Sequence, residues 1–193
     1  MAVPPTPPTR AELRTAVLAA RERFVDGLDT LERARLDACL VTRLLPLLRG
    51  TVAGYAAMAV EVDPAATGFD VWPRIATAGE PLTFHRAAAA DLERRGAWGI
   101  REPRAGAPRV VPDTVLVPLV AADARGNRLG YGKGYYDRTL TGLAATRIGV
   151  AWDCQVIDDV PAEAWDAPLD WLVTPTRTIR CDAATFGARG GAR

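Results

Sequence analysis

The stretch Asp123-Ala-Arg-Gly-Asn-Arg-Leu-Gly-Tyr-Gly-Lys-Gly-Tyr-Tyr-Asp-Arg138 gathers most of the residue types in this chain that could do chemistry. Gly130, Gly132 and Gly134 alternate, and glycine's tolerance of positive φ lets successive N–H groups turn toward one point, forming a donor nest. Lys133 adds a point charge, Arg128 a bidentate donor, and the N-terminus of a following helix a partial positive charge. Such a set suits a polyphosphate. Asp137 stands one helical turn further on, where a carboxylate can hold Mg²⁺ bridging the phosphates or simply complement the helix dipole. The spacing is not that of a Walker A loop: Asn127 stands in place of its first glycine and Gly134 in place of its Ser or Thr. Nor is it Gly-x-Gly-x-x-Gly. Spacing alone also admits a flexible turn with scattered charge.

The flanking elements must position this stretch. Thr9 can cap a helix over 10–24, with Leu13, Val17, Ala20 and Phe24 on one stripe. At roughly 100° per residue, Arg10, Arg14 and Arg21 fall within about 40° of one another beside that stripe, as either a snorkelling border or an anion site. A second helix is expected over 31–48, interrupted near Pro46. Short apolar runs at 51–57, 81–85, 113–119, 147–152 and 169–174 predict buried strands, separated in places by helices near 86–95 and 135–143. The expected fold is α/β: a mostly parallel sheet with helices on both faces, a Rossmann-like three-layer sandwich with an N-terminal helical pair. In such folds ligands bind at the carboxyl ends of the strands. Glu61 lies just beyond the first strand, and Tyr55 at its end. The stretch 101–112 reads as a surface loop.

At 193 residues, 49% hydrophobic and 24% charged, the chain suits one globular domain. That domain is expected over 9–186, with disordered tails at 1–8 and 187–193. A net charge of +1 gives no global attraction to nucleic acid or an acidic membrane, and an RNA-binding module would need a broad basic face. Cys39, Cys154 and Cys181 lack the spacing of a disulfide framework or a zinc site. No signal-like segment and no apolar run near the ~20 residues of a membrane span is present, so a cytoplasmic monomer is expected, with no membrane or nucleic-acid partner.

The stretch Pro118-Leu-Val-Ala-Ala-Asp-Ala-Arg-Gly-Asn-Arg-Leu-Gly-Tyr-Gly-Lys-Gly-Tyr-Tyr-Asp-Arg138 resembles the signature of the 5-formyltetrahydrofolate cyclo-ligase (5,10-methenyltetrahydrofolate synthetase) family. Supporting pieces follow the family's order: Arg10-x-x-Leu-Arg14, Glu61-Val-Asp63, Pro73-Arg74, Gly99-Ile-Arg-Glu-Pro103, Gln155, Pro161, Asp166 and Asp170. The resemblance implies that ATP and Mg²⁺ convert 5-formyltetrahydrofolate to 5,10-methenyltetrahydrofolate, with release of ADP and phosphate. In the family mechanism the formyl oxygen attacks the γ-phosphoryl group, and N10 then closes the ring and expels phosphate. ATP would be bound by Arg10, Arg14, Arg128, Leu129, Gly130, Tyr131, Gly132, Lys133, Gly134, Tyr135 and Tyr136, with Lys133 stabilising charge during phosphoryl transfer. Asp137 and Asp170 would bind Mg²⁺. Glu61 would take the pterin's amino-pyrimidinone edge, and Tyr135, Tyr136 and Tyr55 could line the folate, with packing in the core the equal alternative for Tyr55.

Three positions depart from the family's pattern. Arg10 stands where lysine is usual, Ala122 where phenylalanine is usual, and Trp165 where histidine is common. Phosphoryl transfer asks for alignment and charge neutralisation more than for a protein base. The sole histidine, His85, is accordingly expected in a structural role.

Overall fold

The computed structural model describes residues 7–95 and 99–182; most of the expected tails, and Trp98, lie outside them. Helix α1 (Arg10–Asp26) begins in a reciprocal capping box: the Thr9 hydroxyl accepts from the Glu12 amide, and Glu12 Oε2 accepts the Thr9 amide at 2.8 Å. Helix α2 (Thr30–Leu44) is capped by Asp29, which accepts the Glu32 amide. It tightens into a 3₁₀ turn over Leu45–Leu47, where Pro46 has no N–H to continue the α ladder. Helix α3 (Tyr135–Thr141) follows the glycine-rich loop. No helix among the described residues is long and apolar enough to cross a membrane.

The strands are β1 (Val52–Ala53), β2 (Val71–Arg74), β3 (Thr83–Arg86), β4 (Glu93–Arg95), β5 (Ile100–Glu102) and β6 (Thr114–Pro118). After them come β7 (Ala121–Ala122), β8 (Arg128–Leu129), β9 (Thr146–Val150), β10 (Trp171–Val173) and β11 (Thr178–Arg180). One sheet runs in the order β11-β10-β9-β6-β1-β2-β3. Strands β10, β9, β6, β1 and β2 are parallel, and β11 and β3 are antiparallel edges. Hairpins β4–β5 and β7–β8 stand apart from it.

Alternation along the central strands buries both faces. Val115 and Val117 of β6 join Leu140 of α3, Leu169 and Leu172 in one layer, whereas Leu116, Ile148 and Val150 join Leu40 and Leu44 of α2 in the other. This is the α/β sandwich with helices on both faces. Helix α1 lies across the carboxyl ends of the strands: Val17 packs on Val120, Ala121, Leu129 and Val160, while Phe24 meets the Trp152 ring at 5.5 Å. The site is therefore built at the edge where a parallel sheet leaves its loops.

Several expectations need correction. The run 86–95 is not helical: the Arg86 and Ala87 amides are held by Pro108 and Asp70 carbonyls, Ala89–Asp91 is a 3₁₀ turn, and β4 follows. Strand pairing here overrides a good helical propensity. The first strand ends at Ala53: the Gly54 amide still donates to the Val71 carbonyl at 3.0 Å with the Phe69 ring against it, and the chain then runs into the loop that carries Glu61. β2, which contains Pro73, escapes a hydrophobic-run criterion, and the start of 101–112 belongs to β5.

Gly149, in the middle of β9, is set by packing. A Cβ there would stand 2.4 Å from Leu169 Cδ1 and 3.0 Å from Leu119 Cδ2. Gly149→Ala is expected to cost about 1–3 kcal/mol through overpacking, read as a lower urea midpoint with an unchanged slope.

Candidate active site

Hairpin β7–β8 delivers the glycine loop. Its turn is organised by Asp123, fully buried, which accepts from the Arg125 and Asn127 amides, the Asn127 side chain and the Val160 amide. Burial pushes this carboxyl up, and the hydrogen bonds outweigh it, leaving it below its ordinary value. Leu129, expected at the nucleotide, is fully buried with Val17 and Val160; its side chain anchors the hairpin in the core. Beyond it, Gly132 and Gly134 adopt φ of 86° and 66°, but Gly130 is not in the left-handed region. The nest thus rests on two of the three expected glycines. The Gly130 carbonyl instead accepts from Arg14 Nε at 2.8 Å.

Lys133, between the two left-handed glycines, is exposed. The loop behind it is braced by Arg138, which donates to the Lys133 carbonyl at 2.9 Å and lies 5.3 Å from the Tyr135 ring centre. Tyr136 is half-buried against the α3 layer of the core, and burial pushes its phenol well above the usual range.

Four guanidinium groups converge here. Arg10 donates to the Pro161 carbonyl at 2.7 Å and to both oxygens of Asp166 at 2.5 and 3.3 Å, a two-point contact that a lysine could not reproduce. Arg14 grips the glycine loop as described. Arg128 is buried and donates to the Ala167 carbonyl and to Asp137 Oδ1, the latter at 2.7 Å. The bidentate donor expected for phosphate is thus committed to ordering Asp137 at the start of α3. Arg21, only 2% exposed, donates to the Tyr131 hydroxyl at 2.9 Å; its place beside Arg10 and Arg14 was readable from spacing, its burial and its contact with the loop were not.

Glu61 is buried at 6% exposure rather than standing out on a loop. One oxygen accepts the Tyr131 hydroxyl at 3.0 Å and the other the Met58 amide at 3.0 Å. Burial pushes its carboxyl up, against the pull of those hydrogen bonds and of Arg21. Each carboxylate oxygen keeps capacity for a further donor. Tyr55, by contrast, is core: its hydroxyl donates to the Val62 carbonyl at 2.8 Å, which braces the loop around Glu61.

The two acids expected to share a cation are not brought together. Asp137 Oδ1 takes Arg128 and, at 3.4 Å, the Ala167 amide. Asp170 lies before β10, at the amino end of the parallel strands, where its Oδ2 accepts the Arg147 amide at 2.7 Å. Among the described residues no three His, Cys, Asp or Glu side chains cluster to hold a metal. Asp137 alone suits Mg²⁺ only in the manner of a cation that arrives on phosphate oxygens and keeps much of its water. His85 uses both ring nitrogens structurally, with the Ala107 carbonyl at 2.7 Å and the Thr83 hydroxyl at 2.9 Å.

The model of the 5-formyltetrahydrofolate cyclo-ligase family matches residues 67–175. The 5-formyltetrahydrofolate cyclo-ligase of Escherichia coli K12 is 42% identical over 85 residues, 40% of this chain and 47% of the relative. That of Mycolicibacterium smegmatis is 42% identical over 91 residues, 42% of this chain and 45% of the relative. The matched segment thus spans about half the length of these curated relatives. The NMR structure of Aquifex aeolicus 5,10-methenyltetrahydrofolate synthetase is 34% identical, covers 95% of both chains and superposes with a TM-score of 0.74. With the family model matching residues 67–175 and this solved structure alike over 95% of the chain, this chain belongs to the 5-formyltetrahydrofolate cyclo-ligase family.

Proposed function

We propose that the protein converts 5-formyltetrahydrofolate to 5,10-methenyltetrahydrofolate at the expense of ATP, releasing ADP and phosphate. The observation that carries this reading is a shared residue: Tyr131, inside the glycine loop, donates its hydroxyl to buried Glu61. A polyphosphate on the loop and a pterin on Glu61 would then lie side by side, as transfer between them requires.

In this reading the backbone of Gly130 to Gly134 cradles the phosphates, with Lys133 the mobile charge at the γ-phosphoryl group. Arg14 and Arg10 act by holding the loop and the Asp166 segment in place. The formyl oxygen attacks the γ-phosphorus and ADP leaves; N10 then attacks the activated formyl carbon and gives up its proton to water, and phosphate departs with the former formyl oxygen. Mg²⁺ bound with ATP would be held by Asp137, and it supplies charge neutralisation on the phosphate oxygens. Glu61 accepts two N–H bonds from the amino-pyrimidinone edge and so orients the formyl group. Tyr135, half-buried next to Lys133, is the remaining aromatic wall.

The direct test is growth of the methenyl chromophore from 5-formyltetrahydrofolate and Mg-ATP; its absence with folded protein would refute the activity. Lys133→Ala, which changes an exposed side chain, should leave the fold intact and lower kcat by roughly 10²-fold or more, the scale of a lost transition-state donor. Asp137→Asn should raise the Mg²⁺ concentration for half-maximal turnover by at least the roughly 10-fold that even outer partners of a metal contribute. A Mg²⁺ titration of turnover reads that directly.

A further inference from the structure

Arg21 is fixed by α1 with nearly its whole side chain buried, yet Nε and Nη1 have no hydrogen-bond partner among the described residues. Its remaining nitrogen, Nη2, donates to the Tyr131 hydroxyl at 2.9 Å, and that hydroxyl donates to Glu61 Oε1 at 3.0 Å. A buried guanidinium with two idle donors is costly, so its position calls for a compensating anion. Glu61 supplies one at the far side of a single phenol.

The proton inventory makes this arrangement directional. A guanidinium can only donate, so the Tyr131 oxygen must accept from Arg21 and its single proton is free to go only to Glu61. A neutral carboxylic acid at Glu61 could instead donate toward Tyr131, but the phenol's own proton would then be left facing two donors. We infer that Arg21 is a positioning residue that acts through the Tyr131 hydroxyl to hold Glu61 as an acceptor-only carboxylate, and so sets the pterin-binding acid from the glycine loop. This inference rests on the reading that Glu61 receives the pterin.

The surroundings leave this work to Arg21. From α2, Arg33 directs its guanidinium to the Ala59 and Glu61 backbone carbonyls at 2.6 and 2.8 Å and lies 4.0 Å from Asp37. Asp37 and Asp63 are acids joined by a hydrogen bond from the Asp63 amide. Buried Tyr55 beyond β1 and half-buried Tyr136 on α3 are phenols raised by burial and by the Glu61 charge, and bring no positive charge. Cys154 is a thiol that burial pushes up. On Glu61 itself burial is the largest influence and pushes the carboxyl up; the Met58 amide and the Tyr131 hydroxyl oppose it, and Arg21 adds a cation's attraction on the same side.

The experiment is a ¹³C-carboxylate NMR titration of glutamate-labelled protein, with the Glu61 resonance assigned by its loss in Glu61→Gln. In Arg21→Met the Glu61 midpoint should move up by about one pH unit or more, tenfold in proton affinity. Arg21→Lys should recover part of that shift. Tyr131→Phe, which removes only the relay hydroxyl, should move the midpoint the same way and serves if Arg21→Met does not fold. With folate, Arg21→Met should raise KM far more than it lowers kcat, and the KM rise should set in at higher pH than in the parent as pH falls. An unmoved midpoint in the folded variants overturns the inference. A moved midpoint in a protein that makes no methenyl product leaves the relay standing and removes the proposed activity instead.

Discussion

A glycine loop has little shape of its own, because residues without side chains lose the most conformational freedom when they are ordered. Here the shape is imposed by guanidinium groups reaching from outside the loop. Arg14 binds the carbonyl of Gly130, Arg138 that of Lys133, and Arg21 the hydroxyl of Tyr131. Arg10, on the same helix as Arg14 and Arg21, fastens the Asp166 segment at the next turn of the site. One face of α1 is thus the template on which the loop is folded. The rest of the architecture follows from the need to hold that helix across the carboxyl edge of the sheet.

Two cores meet that need. The N-terminal half of α1 is seated by Val17 on hairpin β7–β8, and its C-terminal half by Phe24 on Trp152, which follows β9. The helix therefore registers the glycine loop against the sheet. On the opposite layer Arg128 does the same for α3: its buried guanidinium pairs with half-buried Asp137, and the left-handed Gly134 lets the chain enter the helix without a side-chain cap. A pair with one partner buried adds little net stability, since desolvation cancels much of its attraction. What it provides is a defined place for a carboxylate next to the loop.

The parts of this arrangement legible in the sequence were those with local rules. Glycine alternation marked the loop, helical spacing put Arg10 and Arg14 on one face, and apolar runs located four of the five central parallel strands. What escaped was decided by partners distant in sequence. Nothing in local spacing shows that the Arg128 guanidinium meets Asp137 and the Ala167 carbonyl, and spacing left Tyr55 open between a ligand wall and the core, where its hydroxyl is found on Val62. Asp170 reads as a metal ligand by its order in the chain, but the parallel register puts it at the amino end of β10. The helix expected over 86–95 yielded to strand pairing for the same reason. Local propensity carries no term for a neighbouring strand that offers the backbone its hydrogen bonds elsewhere.

Arg21 shows where spacing and partnership have to be read together. Its angular position beside Arg10 and Arg14 is a sequence property, and by itself it admits a solvated fringe as readily as a site. Burial removes the first reading: a fringe arginine keeps its head in water, and this one does not. A cation held at that cost on the helix that shapes the loop, one hydroxyl away from a buried acid, links two neighbouring parts of one site through a single proton. Departures from local consistency of this sort are expected where function rather than stability fixes a residue.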